Sequence, residues 1–200
     1  MGFGLLLLGY MTVLGFFPDM AAIYLYIGYL LVIPAIGGGV MLAAFLKLQE
    51  YNIYFKAMKY VALIYMLAAI SYAPFFMFER SDAAMDMFML AYRIVNICVL
   101  FTFHYIMLSG VRVLAESVDN RRIAGSAKSG IYFTYIYFGL SAVGLLYINL
   151  FYTVFVIVLG IIYFFKNLAC IYRCFLQITY EGHDEEREAK KIKKEREGKP

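Results

Sequence analysis

Between Asp19 and Lys47, and again between Lys128 and Lys166, the chain carries no charged side chain. An α-helix needs roughly 20 apolar residues to cross about 30 Å of hydrocarbon, and uncharged runs of this length leave little else to form than membrane-crossing helices. Composition agrees: 64% of the residues are hydrophobic, 16% are charged and the mean hydropathy is +0.74. Soluble domains run at about half apolar and a quarter charged. The expected fold is all-α, a polytopic integral membrane protein. Six spans are read at 3–17, 21–46, 60–78, 85–108, 131–148 and 150–172, making a bundle over 1–172 followed by a charged cytoplasmic tail at 173–200. Ile131 to Phe165 is too long for one span, so it is divided at Asn149, whose side chain suits a turn. Gly2 to Phe17 lacks the basic n-region and small-residue cleavage site of a secretory signal, and is read as a retained first helix.

Lys and Arg concentrate in cytoplasmic loops, and the bias sets orientation. Lys47, Lys56 and Lys59 follow the second span; Arg112, Arg121, Arg122 and Lys128 follow the fourth; Lys166, Arg173 and the basic tail close the sixth. The alternate loops hold Asp19, then Glu79, Arg80 and Asp82. Both termini are therefore expected in the cytoplasm, with the protein in the plasma (inner) membrane. With no Trp and 19 Tyr, tyrosine must supply the interfacial belts.

Local patterns refine the picture. Pro34 followed by Gly37, Gly38 and Gly39 suggests a kink or a break near mid-membrane, and a broken helix is a common way to build a transporter site; the other reading is close approach by a neighbouring helix. Residues 47–60 place Leu48, Tyr51, Phe55 and Met58 on one face and are expected as a separate helix lying at the inner interface. Residues 111–119 pair Arg112 with Glu116 four apart and continue the fourth helix inward. The stretch 120–130 has the composition of a polar linker. Cys170 and Cys174 share a helical face, but with His183 they fit no zinc spacing and lack a fourth ligand, so no metal site and no cofactor is assigned.

The sharpest feature is polar residues inside the fourth span. At about 100° per residue, with Arg93 at zero, Asp86 and His104 project to about +20°, Asp82 to about −20° and Asn96 to about −60°. Ile97 and Leu100 lie within that stripe, and Cys98 lies away from it. Charges inside a bilayer face the bundle interior or a cavity, so one stripe implies one interior face. Three readings compete: Arg93 snorkels to outer acidic residues; Arg93 and Asn96 form a buried structural network; or they line an outward-open pocket in which Arg93 binds a carboxylate or phosphate and Asn96 orients it. His104 either relays protons or is a hydrogen-bonded structural histidine. No H-E-x-x-H, G-x-S-x-G or Walker loop is present, and no catalytic residue is assigned.

These residues point to a membrane protein that binds or transports a small polar or anionic solute, alone or as a subunit of a larger transporter. The alternative is a non-transporting scaffold or sensor that engages a cytoplasmic protein partner through its loops and tail. The lipid bilayer is a partner in either case. Nucleic acid is not, because acidic residues nearly balance the basic tail. In size and helix count the chain is similar to the substrate-binding subunits of energy-coupling-factor transporters. That similarity stops at gross topology: their alanine small-xxx-small pattern on the first helix is missing, Gly4, Gly9, Thr12 and Gly15 standing at other spacings.

Overall fold

The computed structural model describes residues 2–12, 32–76, 82–146 and 149–197, and every element among them is helical. Six helices follow in order: α1 (Gly2–Thr12), α2 (Val32–Leu48), α3 (Ile53–Phe76), α4 (Asp82–Ser117), α5 (Arg121–Val143) and α6 (Leu150–Glu197). The expected end of the first span at Phe17, the start of the second, and the loops carrying Asp19, Glu79 and Arg80 lie outside the described residues. Two segments are long and apolar enough to cross a membrane, Arg93–Ser117 of α4 and Leu150–Gln177 of α6; Gly2–Met11 and Ile36–Leu48 are shorter apolar helices.

Each helix packs on its successor, and α6 returns to α1, so the six close into a ring; α4 also touches α6 across it. Neighbours run antiparallel. Gly2 meets Leu48 and Gly9 meets Met41; Gly38 meets Tyr65; Gly110 meets Phe55; Gly130 meets Leu108; Gly4 meets Phe175. An even number of alternating helices allows this closure. It also gathers the first residue of α1, the α2–α3 and α4–α5 turns and Gln177 of α6 at one end. Lys47, Lys56, Lys59, Arg112, Arg121, Arg122, Lys128, Lys166 and Arg173 lie in that half of the bundle.

Polarity is arranged inside-out. On α6, Asn167, Cys170 and Cys174 are buried, whereas Phe151, Phe155, Val158, Ile162 and Phe165 are exposed. A water-facing helix shows the opposite pattern, and an exposed apolar belt of this extent suits a lipid environment.

The seam between α5 and α6 follows a coiled-coil period. Ile123, Ala127, Gly130, Thr134, Tyr137 and Ser141 are the inward positions of α5; Val156, Gly160, Tyr163, Asn167, Cys170 and Cys174 are those of α6. Their alternating spacings of four and three give the roughly 3.5-residue repeat of left-handed packing. Asn120 bonds Gln177 at 2.9 Å, Gly130 abuts Asn167, and Thr134 bonds Tyr163 at 2.8 Å, all in one antiparallel register. Small faces large along it, with Gly130 opposite Asn167 and, in the same register, Tyr137 opposite Gly160.

Three local expectations are corrected. Residues 47–60 are not a helix of their own. Lys47 and Leu48 end α2, a tight turn follows, and α3 starts at Ile53. Asn52 decides the matter: its Oδ1 accepts the Phe55 amide at 3.0 Å, capping α3, while its Nδ2 donates to the Gly110 carbonyl at 3.0 Å. Residues 120–130 are not a linker but the start of α5, capped by the Asn120 side chain on the Ile123 amide at 3.2 Å. Their small polar residues suit close packing as well as a loop, and Ile123, Ala127 and Gly130 are buried. Finally, α2 is continuous helix from Val32 through Leu48, so no break occurs there at Pro34 or Gly37–Gly39.

The division before α6 matches expectation. α5 ends at Val143 rather than 148, and Asn149 caps α6 through a 2.9 Å bond from the Phe151 amide. The fourth helix continues to Ser117, with Arg112 Nε 2.8 Å from Glu116 Oε1.

Candidate functional site

The stripe on α4 divides. Asn96, Ile97, Leu100 and His104 are buried and Cys98 is exposed, whereas Arg93 is only half-buried. At about 1.5 Å per residue, Arg93 stands roughly 16 Å along the helix from His104, so the two do not share one site. The side chains of Asp82 and Asp86 lie outside the described residues. Among the glycines of α2, Gly37 and Gly38 are buried and Gly39 faces open space. A Cβ on Gly9 would meet the Gly37 carbonyl at 3.3 Å, and one on Gly38 would meet Met66 at 3.4 Å. These glycines therefore serve close approach by α1 and α3.

His104 belongs instead to a polar cluster that four helices build. Its Nδ1 is 2.8 Å from the Leu100 carbonyl, which can only accept, so Nδ1 carries the proton. Nε2 is then the acceptor and takes the Tyr10 hydroxyl of α1 at 3.1 Å. Tyr10 stacks on Phe164 with centroids 5.2 Å apart, and Tyr163 packs against the imidazole at 5.2 Å. On α5, the Thr134 hydroxyl donates to the Gly130 carbonyl at 3.0 Å, which leaves its oxygen to accept the Tyr163 hydroxyl. Every proton assigned so far has a fixed direction, and every group is neutral.

Asn167 is the exception. It is fully buried on α6, one helical turn from Tyr163, and neither its Nδ2 nor its Oδ1 has a hydrogen-bond partner among the described residues. The Tyr10 and Tyr163 hydroxyls lie beside the amide and interact with it electrostatically. Ser141 is likewise buried, and its Oγ has no hydrogen-bond partner among the described residues. A buried amide left unbonded costs about 1–3 kcal/mol by mutational measure, and hydrocarbon offers no water to relieve it. The amide offers two donor hydrogens and one acceptor oxygen in a neutral, aromatic-walled setting.

The α4 stripe was legible by angular projection, but Tyr10, Thr134, Tyr163 and Asn167 were missed. The signal that could have found them is the heptad spacing of 123–141 and 156–174, which puts Thr134, Tyr163 and Asn167 on inward positions. Lys166, expected to reach out to the interface, turns back onto α5: its Nζ is 2.7 Å from Ser129 Oγ and 3.7 Å from the Phe133 ring centroid. Among the described residues no group of three His, Cys, Asp or Glu could hold a metal. No protein-family model, curated protein or solved structure matches the chain.

Proposed function

We propose that the chain is a six-span membrane protein, both termini cytoplasmic, that binds or conducts a small polar solute along the polar seam between α4, α5 and α6. The observation that carries this reading is Asn167, a fully buried carboxamide with neither polar atom hydrogen-bonded among the described residues. A native interior keeps such a group where a ligand or water completes it. Ser141 and Asn96 extend the polar lining toward the outer end of the bundle, where Arg93 stands half-buried and attracts anions to the mouth. The neutrality of the inner cluster favours an uncharged solute there. Collection of the described cations other than Arg93 in one half of the bundle supports the orientation, and the exposed apolar belt supports the remaining spans.

The test is thiol access from outside the cell. Asn96→Cys and Ser141→Cys, in a Cys98→Ser background, are treated with a membrane-impermeant maleimide. The parent protein supplies Cys98 as the lipid-facing control. Labelling at either seam position without labelling at Cys98 is the expected result. A folded, inserted protein in which both seam positions stay silent overturns the pathway.

One observation favours the second reading, a scaffold or sensor. α6 does not stop at the membrane but continues as helix from Gln177 to Glu197, about five turns of charged sequence that suit a cytoplasmic protein partner. Deleting 178–200 leaves solute access intact if the seam is the business of the protein, and abolishes function if the tail is.

A further inference from the structure

A groove of about 360 Å³ opens on the outer flank of the α4–α5 seam, in the half of the bundle where the cations collect. Arg112 and Glu116 of α4 and Lys128 of α5 stand at its mouth, and Tyr105, Ile131 and Tyr135 continue it toward mid-membrane. Tyr105 lies roughly 10 Å deeper than Arg112 along α4, and its ring meets that of Tyr135 at 6.0 Å. A charged mouth above an aromatic and aliphatic floor has the polarity of an amphiphile lying upright in the leaflet.

The charges at the mouth are not all spent within the protein. Of the other cations at this end, Lys166 is held by Ser129 and Phe133, Lys59 by Gln49 at 3.1 Å and Arg121 by Asp119 at 3.6 Å. Lys128 has no ion pair or hydrogen bond among the described residues. Arg112 binds Glu116 through Nε, which leaves its Nη groups for the groove it lines. Two cations against one carboxylate leave one positive charge.

We propose that this groove holds the headgroup of a singly charged anionic phospholipid, its phosphodiester between Arg112 and Lys128. Bidentate Arg and a flexible Lys are the usual recognition of phosphate oxygens, and basic sites between helices at the cytoplasmic leaflet are placed to use them. One phosphodiester balances the single net charge. The tyrosine hydroxyls suit a hydroxylated headgroup, and Ile131 with the ring faces suits the start of an acyl chain. This site rests on the chain spanning the membrane, and it is separate from the Asn167 seam.

The test is native mass spectrometry of the purified full chain with phosphatidylglycerol, phosphatidylcholine and inorganic phosphate. Phosphatidylglycerol should stay bound at concentrations where phosphatidylcholine does not, and millimolar inorganic phosphate should not displace it. Lys128→Gln should weaken it about fivefold, and Arg112→Gln with Lys128→Gln by about twentyfold or more. Arg121→Gln with Arg122→Gln removes the same charge outside the groove and should leave the affinity unchanged. Equal loss in the two double variants, equal retention of phosphatidylcholine, or displacement by inorganic phosphate overturns the proposal. Should the Arg112 variant fail to fold, Lys128→Gln alone decides, because this exposed residue bonds to nothing described in the bundle. Lipid retention together with a silent Asn96→Cys would leave this site standing and remove only the solute pathway.

Discussion

Asn167 is the residue on which the proposed solute seam rests. If its amide is unbonded in the unliganded protein, Asn167→Leu, which keeps the branched shape and removes the polarity, stabilises that state by about 1–3 kcal/mol. Thermal unfolding in detergent measures this, and a lowered melting temperature would show that the amide is already satisfied by protein. Tyr10→Phe removes the donor to His104 Nε2 and is expected to cost about 0.5–1.5 kcal/mol by the same measurement. At this scale the sequence was informative where polarity was conspicuous. Asn96 and His104 could be placed on the interior face because 100° per residue is a property of any helix. Asn167 sits near Lys166 in a segment read as simply apolar, and nothing local announces that Tyr10, from the far end of the chain, will reach His104.

Helix contacts depend on glycines of opposite kinds. A Cβ on Gly9 would come within 2.6 Å of Met41 Cγ and 3.1 Å of the Met41 backbone nitrogen, so α1 and α2 must part. A Cβ on Gly39 meets nothing within 4 Å. Gly9→Ala is therefore expected to destabilise the bundle by about 1–3 kcal/mol, and Gly39→Ala to be neutral within experimental error. Equal melting temperatures for the two variants would contradict the close approach. The same distinction explains the corrected reading of Pro34 and Gly37–Gly39. Proline and glycine together resemble a break in sequence, but what a glycine does is set by whether another helix stands against it. Residues 120–130 teach the same lesson. Gly125, Ser126, Ser129 and Gly130 have loop composition, yet Asn120 caps a helix and Gly130 lets Leu108 and Asn167 come close.

The ring of alternating helices places the first residue of α1 and the outgoing half of α6 at the same end. Reporter fusions at residues 1 and 200 are expected to read the same, cytoplasmic compartment; readings on opposite sides would require an odd number of crossings and break the ring. The extension of α6 adds a charged rod at that end, the same end as the groove proposed for lipid and opposite the half-buried Arg93. The seam proposed for solute and the groove proposed for lipid thus flank α5, one on its inner face and one on its outer.

By itself the sequence determined the helical class, the segments apolar enough to lie in lipid, the division before α6 and the inward face of α4. Each of these is a local property, read from run length, capping chemistry or the helical angle. Tertiary structure alone decided that six helices close into a ring, that Pro34 and the glycines of α2 end in a continuous helix, and that Tyr10, His104, Thr134, Tyr163 and Asn167 meet. Contact between helices distant in sequence depends on register and on which small residues face one another, and hydrophobic patterning is nearly silent about both when every helix is apolar on its outside.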